Sequence, residues 1–423
     1  MTKWFQIGKY QIILILKRIK INRYIFNPMI DKKKIDLCAQ NIIKALNFKK
    51  EGECVFITGG IYAQELLEEI ALEAYRKGGL PRISSTSDDY MHSFYTDTKI
   101  KNDTLGKTHT HYLKLIENID AYVVIEPLEN PGIMNEVPRE RLKSYAKSIA
   151  PIRDVLYGAN EKFAPGKKWI YAGWPSEKAA KFYGIEYDLF EKFCVDGMAV
   201  PMEELNVITK NIGKYFENVK KVHVSDDYGT DFWVSIENRT KILDDGLISD
   251  EQIEMGDLGG NLPAGEVFFP PNEKLGEGTI YCPITRERDS KRIIKGVNLI
   301  FKEGKLQMDK LTADNDLETV IEAFKQCEEI DRKNNLPEIM TYNVAELGIG
   351  CNPKITRGIG YILTDEKITG SVHVAFGMNN LFGGSSKSQM HWDFVTAPKA
   401  NITIEYNDGT KKIIMEQGKL IEN

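Results

Sequence analysis

A histidine-poor chain places two histidines and an aspartate around one turn rich in glycine and serine. The stretch GSVHVAFGMNNLFGGSSKSQMHWDF, residues 370–394, holds His373 and the triplet His391-Trp392-Asp393, whereas the whole chain has only 6 histidines. Side chains two positions apart on a strand project to the same face, so His391 and Asp393 are expected to lie side by side. The run SVHVAF is also strand-like, which predicts that His373 projects from a neighbouring strand.

Two glutamates stand in apolar surroundings elsewhere in the second half of the chain. Glu266 follows a glycine in LPAGEVFFPP (262–271), and Glu346 precedes a glycine-rich bend in NVAELGIGCNP (343–353). Burying an ionised carboxylate is costly unless a cation or a metal ion accompanies it. The chain has 56 lysines and arginines, so a basic partner and a metal ion are both open interpretations.

Together the five side chains indicate a metal site, although each one alone is more often structural. Three carboxylates and two imidazoles form a mixed ligand set that zinc, cobalt and manganese accept. Two other interpretations stay open. His373, His391 and Asp393 by themselves are the donor set of mononuclear non-haem Fe(II) oxygenases, and in a metal-free interaction module all five residues would be structural.

The elements that must position these residues change character along the chain. In the first half, helical periodicity over 34–46 precedes a buried strand at Cys54–Ile57, and a second amphipathic helix follows at 63–79. Further strand-like runs occur at Ala121–Glu126 and Trp169–Ala172. Strands that alternate with helices predict a parallel α/β sheet flanked by helices.

The second half is rich in strand and turn patterns. Apolar residues alternate with polar ones or follow one another in DFWVSIE, TIYCPI and GVNLIFKEGKL, and NITIEYNDGTKKIIM contains a hairpin signal. One clear helix is predicted at Leu317–Ile330. We therefore expect a strand-rich α+β domain that carries the metal site. The predicted organisation is a basic extension over 1–33, an N-terminal α/β domain over 34–215 and a C-terminal metal-binding catalytic domain over 216–423.

Composition narrows the function classes. The net charge of −5 gives no support for nucleic acid as a partner, and six scattered cysteines without a C-x-x-C pair fit reduced thiols in a cytoplasmic protein. The apolar run Ile12–Leu16 in the basic extension is too short to span a membrane, which takes about 20 residues, or to form a signal peptide. A membrane-surface segment or a misassigned start is expected there.

Gly59-Gly60, between the first strand and the next helix, has two interpretations. A helix N-terminus after such a turn can hold an anion, but the stretch lacks both the G-x-G-x-x-G pattern and a Walker lysine. The favoured interpretation is a tight strand-to-helix turn.

Several motifs, in order, resemble the aminopeptidase T (thermophilic leucyl aminopeptidase) family of metallopeptidases. They are DDYGTDFWVSIENR (226–239), LPAGEVFFPP, AELGIGCNP, DEKITGSVHVAFG and MHWD, and the likeness runs from about residue 34 to the C-terminus. The resemblance implies a metal-dependent aminopeptidase, in which two divalent ions activate a water that releases the N-terminal residue of a peptide. It also implies a homodimer and peptide substrates with a free N-terminus. Some relatives of this fold look like ring-cleaving dioxygenases of hydroxypyridines, which keeps a mononuclear Fe(II) dioxygenase as the alternative.

The family's ligands can be carried over onto matching positions of this chain. Its two glutamates correspond to Glu266 and Glu346, and its histidines and aspartate to His373, His391 and Asp393. By the resemblance, Glu346 is the bridging or proton-handling group and Glu266 a terminal ligand.

The chain departs from the family at the sixth ligand. The family's ligand tyrosine lies seven residues after the first histidine, where this chain has Asn380. Asn380 cannot supply a phenolate, so the second metal ion is expected to be held differently. Asp365, Glu366 and Lys367 are expected either to support the site from behind or, for the last two, to lie in a solvated loop.

Overall fold

A computed structural model describes residues 30–158, 162, 164–288 and 290–421. The predicted basic extension, residues 1–33, lies outside these ranges except for its last four positions. Over the described ranges, no helix is both long enough and apolar enough to cross a membrane.

Eighteen strands form among the described residues and assemble into three sheets. Numbered along the chain, they are β1 (Cys54–Gly60), β2 (Leu80–Thr86), β3 (Ala121–Ile125), β4 (Lys168–Ala172), β5 (Val219–Ser225), β6 (Asp231–Ser235), β7 (Ile242–Asp244), β8 (Gly259–Leu262), β9 (Glu266–Phe269), β10 (Gly276–Arg286), β11 (Ile293–Lys302), β12 (Lys305–Leu306), β13 (Val344–Gly350), β14 (Val372–Gly377), β15 (His391–Val395), β16 (Asn401–Tyr406), β17 (Lys411–Glu416) and β18 (Lys419–Leu420).

The α-helices concentrate in the first half of the chain. Within the described ranges they span Lys32–Ala45, Gln64–Arg76, Asp88–Thr96, Asn102–Leu105, Thr110–Glu117, Arg139–Leu156, Glu177–Tyr183, Tyr187–Glu191, Met202–Gly213, Asp250–Met255, Leu317–Lys333 and Ile362–Asp365.

The first sheet is parallel throughout, with strand order β2-β1-β3-β4-β8. The helices Lys32–Ala45 and Gln64–Arg76 pack against it through apolar faces, and together they bury a common core with β1, β3 and β4. The predicted parallel sheet flanked by helices is therefore confirmed. Its last strand, β8, comes from the second half of the chain and was not anticipated. The division at residue 215 stays a prediction.

The glycine pair at the end of β1 is explained by close packing. A Cβ at Gly59 would lie 3.0 Å from Ile125 Cβ, and one at Gly60 would lie 2.6 Å from the ring of Tyr62. Both distances are below or at the limit of real contacts, so no larger residue fits without a shift. This supports a tight turn rather than a phosphate cradle.

Two antiparallel sheets form the strand-rich C-terminal region that the sequence predicts. Their strand orders are β12-β11-β10-β6-β5-β16-β17-β18 and β15-β14-β13-β9-β7. Apolar side chains from both sheets, such as Val222 and Val374, belong to one continuous core. The helix Leu317–Lys333 packs on this core through Val320 and Phe324. It begins at the predicted residue and ends three residues later than the predicted Ile330.

The five-stranded antiparallel sheet divides its residues between two environments. On β13, Leu347 and Ile349 point into the shared core, so the residues between them face the other side of the sheet. The opposite face carries polar side chains from four adjacent strands, and this face holds the candidate site.

Candidate metal centre

Four neighbouring strands bring the five predicted ligands onto one face of the sheet. Gly350 of β13 pairs with Glu266 of β9, and Gly348 of β13 pairs with His373 of β14. On the other side of β14, β15 places Asp393 opposite Ala375 and His391 opposite Gly377. The strand positions expected for the two histidines and Asp393 are thus confirmed. The glycine-rich bend expected after Glu346 is wrong, because residues 346–350 continue as a regular strand, β13.

Gly348 makes room for one of the imidazoles. A Cβ at this position would lie 2.0 Å from both Cε1 and Nε2 of His373, which is far inside van der Waals contact. The glycine in the middle of a buried strand is therefore a consequence of the histidine that lies beside it. Glu346 follows a register shift in β13, a kind of irregularity that re-aims side chains.

Three of the predicted ligands form a first buried group. Nε2 of His373 lies 3.3 Å from Oε2 of Glu266 and 3.3 Å from Oε1 of Glu346. His373 is fully buried, and both glutamates are nearly so. Potential ligand atoms of the three residues lie within 4.8 Å of one another, a separation that one metal ion can span.

A second group forms on the solvent side of the first. Nε2 of His391 lies 3.5 Å from Oε2 of Glu346 and 3.5 Å from Oδ2 of Asp393. Nδ1 of His391 is 2.8 Å from the carbonyl oxygen of Met378, so it carries the hydrogen and donates it there. That tautomer leaves the lone pair on Nε2, facing the carboxylates, as metal ligation requires.

Glu346 belongs to both groups. Its Oε1 faces His373 and its Oε2 faces His391, so the two carboxylate oxygens point to two different sets of donors. The groups are Glu266–Glu346–His373 and Glu346–His391–Asp393.

A buried lysine accompanies the first group. The Lys367 ammonium pairs with Oε1 of Glu266, and it lies 3.2 Å from Asp244 and 3.4 Å from Glu366. Lys367 is only 2% exposed, so the alternative of a solvated loop is wrong for this residue. A basic partner of Glu266, one of the two interpretations left open by the sequence, is therefore present. The other oxygen of Glu266, Oε2, stays directed at His373.

The charges of the site shift the pKa values of its members. Burial by itself lowers the pKa of His373, but the hydrogen bond with Glu346 and the neighbouring carboxylates outweigh it and raise that pKa to about 9. Burial raises the pKa of Asp393, and nearby His391 opposes that rise. The site is thus an excess of buried negative charge that attracts cations.

Unpaired atoms show that the protein's own groups do not satisfy the site. Among the described residues, Oε2 of Glu266 and Oδ1 of Asp393 are buried without a hydrogen-bond partner. Buried polar atoms nearly always have a partner, and an ion is one recognised explanation where they do not. The donor set of carboxylates and imidazoles suits a divalent metal, so the residues present fit such an ion.

Asn380 lies in the turn after β14, outside the two groups. It is half-buried, and its backbone N–H donates to the carbonyl oxygen of Ser386 at 3.1 Å. The neighbouring Asn379 is fully buried and accepts from the Ser386 N–H at 2.9 Å. These bonds shape the turn, and they leave the role of the Asn380 side chain as a prediction.

A cleft of about 1260 Å³ gives access to the site from one side. His391, Asp393 and Glu366 line its inner end, and residues of both halves of the chain line its walls. Burial raises the pKa of Glu366 to about 7, and the nearby Asp393 adds to the effect. Sequence reasoning named Glu366 without choosing between support and solvent, and missed Asp244, whose only signal is its place in an Asp-Asp-Gly turn.

Comparisons with known proteins identify a family and a fold for this chain. A family model described as thermophilic metalloprotease (M29) matches residues 31–420. The fold is similar to that of wild-type AmpT from Thermus thermophilus, with a TM-score of 0.67 and 16% identity over 92% of this chain and 100% of that one. It is also similar to 2,5-dihydroxypyridine dioxygenase from Pseudomonas putida, with a TM-score of 0.55 and 14% identity over 93% and 99%. No curated protein matches the chain.

Proposed function

The chain belongs to the M29 family of thermophilic metalloproteases and is a metallopeptidase, and on that premise we propose that it is an aminopeptidase with two divalent ions. It would release the N-terminal residue from peptides whose α-amine is free. Zinc, cobalt and manganese all suit the donor set. We also propose a homodimer, which light scattering of the purified protein tests.

The observation that carries the proposal is the shared carboxylate. Because the two oxygens of Glu346 face different histidines, this residue can ligate one ion through each oxygen. Glu266 and His373 would complete the first set of ligands, and His391 and Asp393 the second. Glu266 is the terminal ligand in this scheme, since Lys367 occupies its other oxygen.

The charge balance supports two ions. Five carboxylates surround Lys367 and the histidines: Asp244, Glu266, Glu346, Glu366 and Asp393. Bound ions require neutral histidines and favour ionised carboxylates, and in that state Lys367 leaves a formal charge of −4 among the side chains of the cluster. Two divalent ions neutralise that charge, and one does not.

The residues of the chain have distinct tasks in the proposed reaction. Bound divalent ions supply Lewis acidity, which lowers the pKa of a water and polarises the scissile carbonyl. Glu346 would either hold both sets of ligands in register or, if one of its oxygens stays free of the ions, accept the proton from that water and pass it to the departing amine. His391 keeps its orientation through the bond from Nδ1 to Met378.

The acidic inner end of the cleft suits a free α-amine. Glu366 lines it and belongs to neither set of ligands, so a positively charged N-terminus would find a carboxylate beside the reacting bond. An acetylated N-terminus lacks that charge and would lose the contact. Cleavage is therefore expected at the first peptide bond only.

The alternative is the mononuclear Fe(II) dioxygenase. Its donor set would be His373, His391 and Asp393, but in the groups formed by the described residues each histidine belongs to a different set. The two glutamates that complete these sets have no task around a single iron. The geometry therefore favours the peptidase.

Metal analysis and peptide hydrolysis test the proposal together. We expect about two divalent ions per chain, release of leucine from unblocked peptides, no release from acetylated ones, and inhibition by chelators. Glu266→Gln should lose one ion and most of the turnover. The matched control, Glu416→Gln, removes an exposed carboxylate on β17 and should change neither.

Other outcomes would decide against the peptidase. One iron per chain, oxygen uptake with a hydroxylated aromatic substrate and no amino-acid release would assign the dioxygenase, above all if uptake survives Glu266→Gln.

A further inference from the structure

The cleft that reaches the metal centre has walls that take no part in metal binding. The start of the helix Arg139–Leu156 forms one wall, the connection between β10 and β11 a second, and the helix Leu317–Lys333 a third. A peptide held by its N-terminal residue at the inner end would extend between these walls. The chemistry of the walls therefore selects the substrate residues beyond the scissile bond.

The walls are predominantly basic. Among the described residues of the cleft, six carry a positive charge: Arg139, Lys143, Arg286, Arg288, Lys291 and Arg292. Of these, Arg292 is paired with Asp316 at 3.1 Å. Of the four acidic residues there, Glu366 and Asp393 belong to the metal end, which leaves only Glu287 and Glu322 on the walls. The cleft is thus acidic at its inner end and basic along its length, although the chain as a whole has a net charge of −5.

Arg286 is a fixed part of this surface. Its guanidinium donates to the carbonyl oxygens of Gly360, Lys291 and Tyr183 at 2.7, 2.6 and 2.6 Å, and its centre lies 4.9 Å from the ring of Tyr183. Carbonyl groups carry no formal charge, so these contacts orient the cation and leave its charge in the cleft.

Arg139 and Lys143 belong to the wall formed by the helix Arg139–Leu156. They lie four residues apart, and therefore on the same side of the helix Arg139–Leu156. Both side chains are exposed and line the cleft.

We infer that this cleft selects peptides with a carboxylate downstream of the scissile bond. The inference rests on the proposed aminopeptidase function, which places the substrate's α-amine at the acidic end. Either an acidic side chain or the C-terminal carboxylate of a short peptide supplies the negative charge. A peptide with positive charge at one end and negative charge further along matches the polarity of the cleft.

Four tetrapeptides separate the two sources of the carboxylate. Leu-Ala-Ala-Glu-amide and Leu-Ala-Ala-Gln-amide differ only in the last side chain. The free-acid and amide forms of Leu-Ala-Ala-Gln differ only at the C-terminus. Leu-Ala-Ala-Lys-amide carries the opposite charge in the last side chain. For at least one of the two peptides that carry a carboxylate, we expect kcat/KM to be about fivefold higher than for Leu-Ala-Ala-Gln-amide. This is the factor for one charge pair at roughly 4 Å in water. The advantage should shrink as salt increases.

Variants of one helix supply the matched control. Arg139→Gln with Lys143→Gln removes two cleft charges and should abolish most of the preference. Lys147→Gln with Arg153→Gln removes two exposed charges of the same helix that do not line the cleft, and should leave the preference intact. Thermal unfolding checks that both double variants fold.

The two levels of the hypothesis fail differently. Equal kcat/KM for all the peptides, or a preference that the Arg139/Lys143 double variant retains, overturns the inference while leucine release keeps the proposed function. Absence of leucine release from every peptide overturns the proposed function, and the inference falls with it.

Discussion

Gly348→Ala is expected to disrupt the proposed metal centre, although Gly348 is not one of the proposed ligands. The added methyl carbon would lie 2.0 Å from Cε1 and Nε2 of His373, against 3.4 Å for ordinary contact, so the ring must retreat by roughly 1.4 Å. Metal–nitrogen bonds are about 2.0–2.1 Å long and tolerate deviations of roughly 0.2 Å. The displacement is several times that tolerance, so His373 can no longer act as a ligand.

The variant should still fold, because the methyl faces the site and not the apolar core. If the backbone moves in place of the ring, overpacking costs about 1–3 kcal/mol of unfolding free energy. We expect Gly348→Ala to bind at least one ion fewer and to lose more than about a hundredfold in kcat/KM, a loss typical of a mispositioned catalytic group. Metal content by mass spectrometry, urea unfolding and leucine release measure the three effects.

A double-mutant cycle makes the reasoning refutable. In a His373→Ala background the ring is gone, so adding Gly348→Ala should cost almost nothing in the unfolding free energy of the metal-free protein. Gly106→Ala is the general control, since a Cβ there meets its nearest atom at 3.4 Å. Full metal content in Gly348→Ala, or an equal cost in both backgrounds, would refute the steric argument.

Four further predictions concern Lys367, Asp365, the basic extension and Asn380. Lys367→Met leaves Glu266 without its buried cation and should lower the unfolding free energy of the metal-free protein by about 3–5 kcal/mol, measured by urea titration. Burial raises the pKa of Asp365 to about 7, above the ordinary 3.8, so between these pH values the folded chain keeps a proton that the unfolded chain has released. The unfolding free energy should therefore fall as pH rises from about 4 to 7. Asp365→Asn should flatten that slope. Deleting residues 1–28 should leave melting temperature and activity unchanged, and loss of folded protein would contradict this. Asn380→Tyr should raise the metal content if Asn380 replaces a ligand, whereas unchanged content in a stable variant removes it from the ligand set.

Local periodicity was sufficient to predict two of the four strands that carry the donors, β14 and β15. The alternation in His-x-Asp places His391 and Asp393 on one face of β15, and this follows from strand geometry without knowledge of the partner strands. The parallel sheet was predictable for the same reason, since its strands and helices alternate along the chain. The order of its strands, and the presence of β2 and β8 among them, required the structure.

Contacts between distant segments could not be predicted in this way. Lys367 stands in a run of charged residues that is typical of a surface turn, yet it is buried against Glu266, 101 residues earlier in the chain. Gly348 and Gly350 made residues 346–350 resemble a bend, because the pattern does not show that an imidazole fills the space beside one of them. The strand β8 is short and glycine-rich, so its place in the parallel sheet depends on its neighbour β4.

The alternation along β13 separates two kinds of evolutionary constraint within seven residues. Leu347 and Ile349 belong to the packed interior, whereas on the proposed function Glu346 and Gly348 would be held by metal binding on the other face. Replacements at the first pair would be eliminated through lost folding, and replacements at the second through lost activity in a folded protein. Natural variation can therefore alter the ligands of this sheet while its apolar layer stays intact, which lets one scaffold acquire a different chemistry without first losing its stability.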